Sequence, residues 1–200
     1  MKLMFATANA GKVKEVQEIC NTLGREYGLE VVVEPMPVKY DIPETGDTYE
    51  ENSLQKASFV LEKYGCDCIA DDSGMEVDAL DGGPGIYTAR YCGHDFGKGI
   101  YKLLDALKEK GAMEPSQRRA AFVCCITVIL GGQVHQFKGV CPGTISLEPH
   151  GVCGFGFDPV FIPGAGPGVC MAELPDADKN KLSHRGLAMR KLFEFLKTLG

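Results

Sequence analysis

The sequence predicts an α/β protein built on a mixed β-sheet. Strand-like and helix-like stretches alternate early in the chain, the pattern of strands laid in parallel. Further on, a β-rich run from Ala120 to Leu130 turns at Gly131-Gly132 into a second run from Gln133 to Val140, a hairpin that adds an antiparallel part. Two of the polar clusters, at residues 7–12 and 71–74, fall where strands end, the usual place for ligand loops in such folds.

The elements follow from apolar spacing. Leu3 to Ala6 reads as a buried first strand, too short for a signal-peptide core or a spanning helix. A helix is expected from about Gly11 to Leu23, with Val13, Val16, Cys20 and Leu23 on one face. Val31 to Val33 is a second strand. A second helix is expected from Tyr49 to Tyr64, with Leu54, Ala57, Leu61 and Tyr64 inward and a capping box made by Thr48 and Glu51. Cys68 to Ala70 is a strand ending in an Asp71-Asp72-Ser73-Gly74 loop. A third helix covers roughly Lys98 to Lys108, and Gly151 to Phe157 and Pro163 to Gly168 are glycine-rich loops. The last helix follows Ser183 as N-cap, with Leu187, Ala188, Leu192, Phe195, Leu196 and Leu199 on its buried side.

Composition narrows the function. The 200 residues are 44% apolar and 24% charged, an ordinary globular balance, and are expected to form a single domain over 1–200. The net charge of −6 argues against polymeric nucleic acid but leaves room for a small anion held by a few lysines. The nine cysteines are odd in number, several sit inside apolar runs, and none forms a paired Cys-x-x-Cys zinc pattern. A reducing, cytoplasmic setting without a membrane anchor is expected.

Five segments carry candidate chemistry. Thr7-Ala8-Asn9-Ala10-Gly11-Lys12 opens a helix, where free N–H groups and the helix dipole attract anions. It is not a Walker A loop, and taken alone it reads first as an Asn9 cap with a solvated lysine. Asp71 and Asp72 repel each other unless a cation intervenes, and Mg²⁺ binds through one or two carboxylates plus substrate phosphates. Neighbouring strand residues point to opposite faces, so one of the pair is expected to reach a site. Glu44 could complete a metal site, and Lys56 is either an exposed partner of Glu51 or a phosphate contact. In Gly154-Phe155-Gly156-Phe157-Asp158 the rings either lie open to a base or fill the core. Finally, Lys179 precedes Ser183-His184-Arg185, where cations at a helix start oppose the dipole.

Together these segments resemble the inosine triphosphate pyrophosphatase family, the non-standard purine NTP pyrophosphatases. The resemblance includes Glu51-Asn52-Ser53-Leu54-Gln55-Lys56-Ala57, Ile69 to Gly74 and Gly82 to Tyr91, in the family's order and along nearly the whole chain. It implies an elongated two-lobed α/β fold with a long central mixed sheet flanked by helices, a nucleotide cleft between the lobes, a homodimer and a Mg²⁺ requirement. It implies that Glu44 and Asp72 hold the metal, with Asp72 the general base, kept at low pKa by the metal. Thr7, Ala8, Asn9, Ala10, Gly11, Lys12 and Lys56 would hold the triphosphate, and Ser73 would touch substrate. Phe155, Gly156, Phe157, Asp158, Lys179, His184 and Arg185 would form the base site. The expected reaction is hydrolysis of dITP, ITP or XTP to the monophosphate and pyrophosphate. Donors such as His184 and Arg185 suit a 6-keto group and clash with the 6-amino group of adenine. Departures are mild: Ala8 stands for a common Gly, Met75 for Leu, and Phe157 for Tyr or Trp, which removes a polar tip. Two rival readings are a related pyrophosphatase acting on pyrimidine or other modified nucleotides, and a non-catalytic nucleotide-binding regulator.

Overall fold

The structure, a computed structural model, describes residues 1–7, 9–93 and 95–200. Its elements, in chain order, are β1 (Lys2–Phe5), α1 (Ala10–Tyr27), β2 (Val32–Pro35), α2 (Tyr49–Tyr64), β3 (Cys68–Val77) and β4 (Pro84–Gly85). They continue with α3 (Thr88–Tyr91), α4 (Phe96–Glu109), β5 (Arg119–Leu130), β6 (Gln133–Ile145), β7 (Phe161–Pro163), α5 (Asp176–Leu182) and α6 (His184–Lys197). The strands form a seven-stranded sheet of order β2-β1-β3-β5-β6-β7, with β4 paired to β3. It is mixed, as expected. β1 runs parallel to β2 (Lys2↔Val32) and to β3 (Met4↔Cys68), whereas β3–β4 and β6–β7 are antiparallel.

The chain divides into two compact units. The first comprises Met1–Asp72, Cys124–Gly139 and Arg185–Gly200, and the second Ser73–Val123 and Val140–His184. The first unit has two apolar clusters. One gathers Leu3, Phe5, Val16, Ile19, Ile69, Leu192 and Phe193, and the other Ala6, Ala57, Val60, Cys68, Ala70 and Ile129. Residues of β3 alternate between them, Cys68 and Ala70 with one and Ile69 with the other, the period-2 signature of a strand covered on both faces. The second unit packs around Met75, Leu103, Leu107, Phe122, Phe157 and Phe161.

Several boundaries differ from the sequence reading, each for a physical reason. α1 does not stop at Leu23 but runs to Tyr27, ending on Gly28 at φ +71°. Gly24 is there for space, because a Cβ would lie 2.5 Å from the Leu29 carbonyl oxygen. β3 does not end in a loop after Ala70. It continues through Asp71-Asp72-Ser73-Gly74 to Val77, because β4 pairs with it and the Thr88 hydroxyl accepts the Met75 N–H at 2.9 Å. Gly74 permits that pairing, since a Cβ there would sit 2.1 Å from the Gly85 oxygen. On α6, Met189 and Phe193 join the buried side, whereas Leu199 lies beyond the helix end and is exposed.

α2 has the expected limits and capping box: the Glu51 N–H donates to Thr48 Oγ1 at 3.1 Å, and Glu51 Oε2 accepts the Thr48 N–H at 3.2 Å. Its inward face is only partly the expected one. Ala57 is buried, and Leu61 and Tyr64 pack half-buried against the core, but Leu54 is only half-buried and Asn52, Ser53, Lys56 and Val60 are enclosed instead. Polar partners explain the difference. Ser53 Oγ lies 2.7 Å from Thr127 Oγ1, and Gln136 Nε2 donates both to Thr127 Oγ1 and to the Glu50 carbonyl in the first turn of α2. All nine cysteines are free thiols, and most are buried. Burial pushes the Cys20 thiol up to about 12, so it behaves as a small apolar side chain. Among the described residues no helix is long and apolar enough to cross a membrane.

Because one hydroxyl caps the helix that carries Lys56, Thr48→Ala should lower stability by about 1 kcal/mol in urea unfolding.

Candidate active site

β3 turns Asp71 and Asp72 to opposite faces, and each meets its own cations. Asp71 continues the Ile69 side, toward α1 and α6. Its Oδ1 accepts from Lys12 Nζ at 3.0 Å, and its Oδ2 from Arg185 Nε at 3.2 Å and Nη2 at 2.8 Å. Arg185 Nη1 also donates to Glu15 Oε2 at 2.6 Å. Arg185 and Asp71 are each 1% exposed and Glu15 6%. Burial acts to raise the Asp71 carboxyl, but Lys12, Arg185 and Lys56 outweigh it and hold it well below the usual carboxylate range. Burial likewise acts against the Arg185 charge, and Glu15 and Asp71 more than restore it. This side is therefore a chain of contacts, Glu15–Arg185–Asp71–Lys12, that fixes the lysine of the α1 N-terminal turn.

That turn is shaped as a helix start should be. Asn9 Oδ1 accepts the Lys12 N–H at 3.2 Å, and Thr7 Oγ1 accepts the Asn9 N–H at 3.1 Å. Asn9, Ala10 and Gly11 are exposed and Thr7 half-exposed, so the turn is open to an anion beside Lys12. Ala8 lies outside the described residues.

Asp72 faces α2. Lys56 Nζ donates to Asp72 Oδ1 at 2.7 Å and to Glu44 Oε1 at 2.6 Å, and Asn52 Nδ2 donates to Asp72 Oδ2 at 3.5 Å. Lys56 is thus not the exposed partner of Glu51, whose carboxylate serves the cap. Burial raises the Asp72 carboxyl above its ordinary value and Lys56 offsets only part of this, so without a metal its direction is opposite to the low pKa expected beside one. The Lys56 ammonium goes up despite burial, because Asp72, Asp71 and Glu44 surround it.

The second unit holds the other candidates. Asp158 and Lys179 form an ion pair at 2.7 Å, and both are 4% exposed. Asp158 Oδ2 also accepts the Phe155 N–H at 2.8 Å. Gly154, at φ +74°, makes this possible, since a Cβ would lie 2.1 Å from that oxygen. Lys179 Nζ stands 4.8 Å from the centre of the half-buried Phe155 ring, a cation–π contact. The His184 ring stacks on Phe122 at 4.8 Å and 13°. Phe157 is 1% exposed and meets Phe96 edge-on at 5.9 Å, so its ring belongs to the core, whereas Phe155 keeps an accessible surface. Gly156 sits between them at φ +69°, and Ser73 is half-buried on β3.

Two residues of this arrangement went unassigned in the sequence reading, Glu15 and Asn52. Both stood at helical spacing from residues already singled out: Glu15 three after Lys12, and Asn52 four before Lys56. A separate groove lined by Ile42, Pro43, Leu54, Phe59 and Glu62 has no basic side chain and does not suit a triphosphate. Arg185→Met takes from Asp71 and Glu15 the cation that now meets them. It should cost about 3–5 kcal/mol in urea unfolding, and adding Asp71→Asn should restore part of that.

Known proteins resemble this chain over nearly its whole length. A dITP/XTP pyrophosphatase of Christiangramia forsetii is 41% identical over 198 residues, covering 98% of this chain and 99% of that protein. The dITP/XTP pyrophosphatase of Porphyromonas gingivalis is 42% identical, covering 98% and 97%. Among solved structures, a HAM1 protein from Coxiella burnetii has a TM-score of 0.85 at 33% identity, with 99% of each chain covered. The Ham1 protein of Staphylococcus aureus has a TM-score of 0.82 at 33% identity over the full length of both chains. The family model matches residues 3–195, nearly the whole chain, and the chain therefore belongs to the Ham1 family.

Proposed function

We propose that this protein hydrolyses non-standard purine nucleoside triphosphates, dITP, ITP and XTP, to the monophosphate and pyrophosphate. The observation that carries the reading is the convergence of Glu44 and Asp72 on one ammonium, with Lys12 nearby in charge terms through Asp71. Phosphoryl chemistry depends on neutralising and positioning charge, which such a set supplies. The relatives named dITP/XTP pyrophosphatase support the choice of substrate.

The residues fit a Mg²⁺ ion. Two hard oxygen donors, Glu44 Oε1 and Asp72 Oδ1, already meet one cation, the Lys56 ammonium. Among the described residues no set of three or more His, Cys, Asp or Glu side chains gathers as a ready cage. The remaining ligands would be phosphate oxygens and water, the usual arrangement for this ion. When bound, the ion would neutralise phosphate charge and polarise the reacting phosphoryl group.

The protein's own groups divide the remaining work. Thr7 to Gly11 present the α1 N-terminus to phosphate oxygens, and Lys12 and Lys56 add positive charge. Ser73, next to Asp72, touches the substrate. Asp72 accepts the proton of a water that attacks a phosphorus of the α–β anhydride. A P–O bond forms to the water oxygen, the bond from that phosphorus to the bridging oxygen breaks, and the monophosphate and pyrophosphate separate. The base lies against Phe155, with Gly156 and Phe157 shaping the loop, and Asp158, Lys179 and His184 form its polar surroundings. His184 is the donor suited to a 6-keto oxygen, and Arg185, anchored by two carboxylates, fixes the residue beside it. A homodimer in the cytoplasm completes the reading, on the strength of the family resemblance.

Pyrophosphate release with Mg²⁺ should be fast for dITP and XTP and slow for dATP, dGTP, dCTP and dTTP. Asp72→Asn should lower kcat by about 100-fold or more, and EDTA should abolish turnover. Equal turnover of the standard nucleotides would overturn the base assignment. Light scattering of the purified chain should give twice the monomer mass.

A further inference from the structure

We infer that Asn52 is a positioning residue that sets the spacing of Glu44 and Asp72, an inference that rests on the metal-dependent reading above. Its side chain lies between the two segments that carry them. Oδ1 accepts the Gly46 N–H at 2.9 Å, two residues after Glu44, and Nδ2 donates to Asp72 Oδ2 at 3.5 Å. The side chain is 3% exposed. Its orientation is fixed by chemistry: the backbone N–H requires the oxygen and the carboxylate requires the NH₂, and a flipped amide would oppose like groups at both ends.

The neighbouring contacts have the same direction. Three successive amides of the Glu44 segment are accepted by three side chains of α2. The Thr45 N–H goes to Gln55 Oε1 at 3.0 Å, Gly46 to Asn52, and the Asp47 N–H to Glu51 Oε2 at 2.7 Å. Gly46 lets the segment lie this close, because a Cβ would sit 2.5 Å from Glu51 Cβ and 3.0 Å from Asn52 Oδ1. Of the three, Asn52 also touches Asp72. Lys56 pulls on the same two carboxylates, but an ammonium on a flexible stem supplies charge without direction. The planar amide supplies direction, the role that outer hydrogen bonds play around metal ligands.

The test uses the full-length protein carrying Asn52→Ala, with Gly46→Ala as a second variant that strains the contact from the other side. Mn²⁺ binding without nucleotide is followed by electron paramagnetic resonance, and pyrophosphate release from dITP is measured across a Mg²⁺ series. Both variants should need about 10- to 100-fold more metal for half-saturation, while KM for dITP at saturating Mg²⁺ stays near that of the unaltered protein. Gln55→Leu, which cuts the Thr45 contact but leaves the Asp72 tie, should shift the metal requirement less. If Asn52→Ala does not fold, Gly46→Ala decides. Unchanged metal half-saturation in the folded variants would overturn the inference while leaving the enzyme assignment intact. An unaltered protein that neither binds Mn²⁺ nor releases pyrophosphate would overturn the functional reading, and this inference with it.

Discussion

Two adjacent carboxylates inside a buried strand set the terms for the rest of the first unit. Desolvating an ion costs several kcal/mol, and the two aspartates would also repel each other. The fold meets this by alternation. Asp71 goes to one face and finds Lys12 and Arg185, and Asp72 goes to the other and finds Lys56. Three helices take up their positions around that requirement. α1 brings Lys12 and Glu15, α6 brings Arg185, and α2 turns inward a mixed face that adds Asn52 and Lys56 to Ala57 and Val60.

The same requirement explains the cation at the start of α6. A positive charge in a first turn is disfavoured by the helix dipole by roughly 0.3–1 kcal/mol. Two buried carboxylates in direct contact with the guanidinium outweigh that penalty. The second unit solves a like problem on a smaller scale. Asp158 is wrapped by its own glycine loop and paired with Lys179, whose ammonium also covers the Phe155 ring. In both units the buried carboxylates described above meet a cation, and most of these charged residues are ones that the sequence brought forward.

Much of this was legible in the sequence because it rests on local rules. The α2 limits and cap followed from Thr48 and Glu51, the hairpin from Gly131-Gly132, and the opposite facing of Asp71 and Asp72 from strand geometry. What failed depended on partners distant in the chain. The inward face of α2 was only partly read: apolar spacing found Ala57 but missed Asn52, Ser53 and Lys56, whose enclosure depends on partners such as Thr127, far along the chain. β3 was cut short because Asp-Asp-Ser-Gly resembles a turn until β4 is known to lie beside it. Glu15 went unassigned, since nothing local announces that Arg185 will reach it.

The burial of β3 on both faces carries a consequence for folding fidelity. From Cys68 to Ala70 small and apolar side chains pack on each side, so oiliness alone scarcely distinguishes the native alignment from one shifted by a single residue. A shift would carry each aspartate to the opposite face and away from its cations. The two aspartates and their cations therefore also act as an alignment mark, because a shifted strand would leave buried charges without their partners.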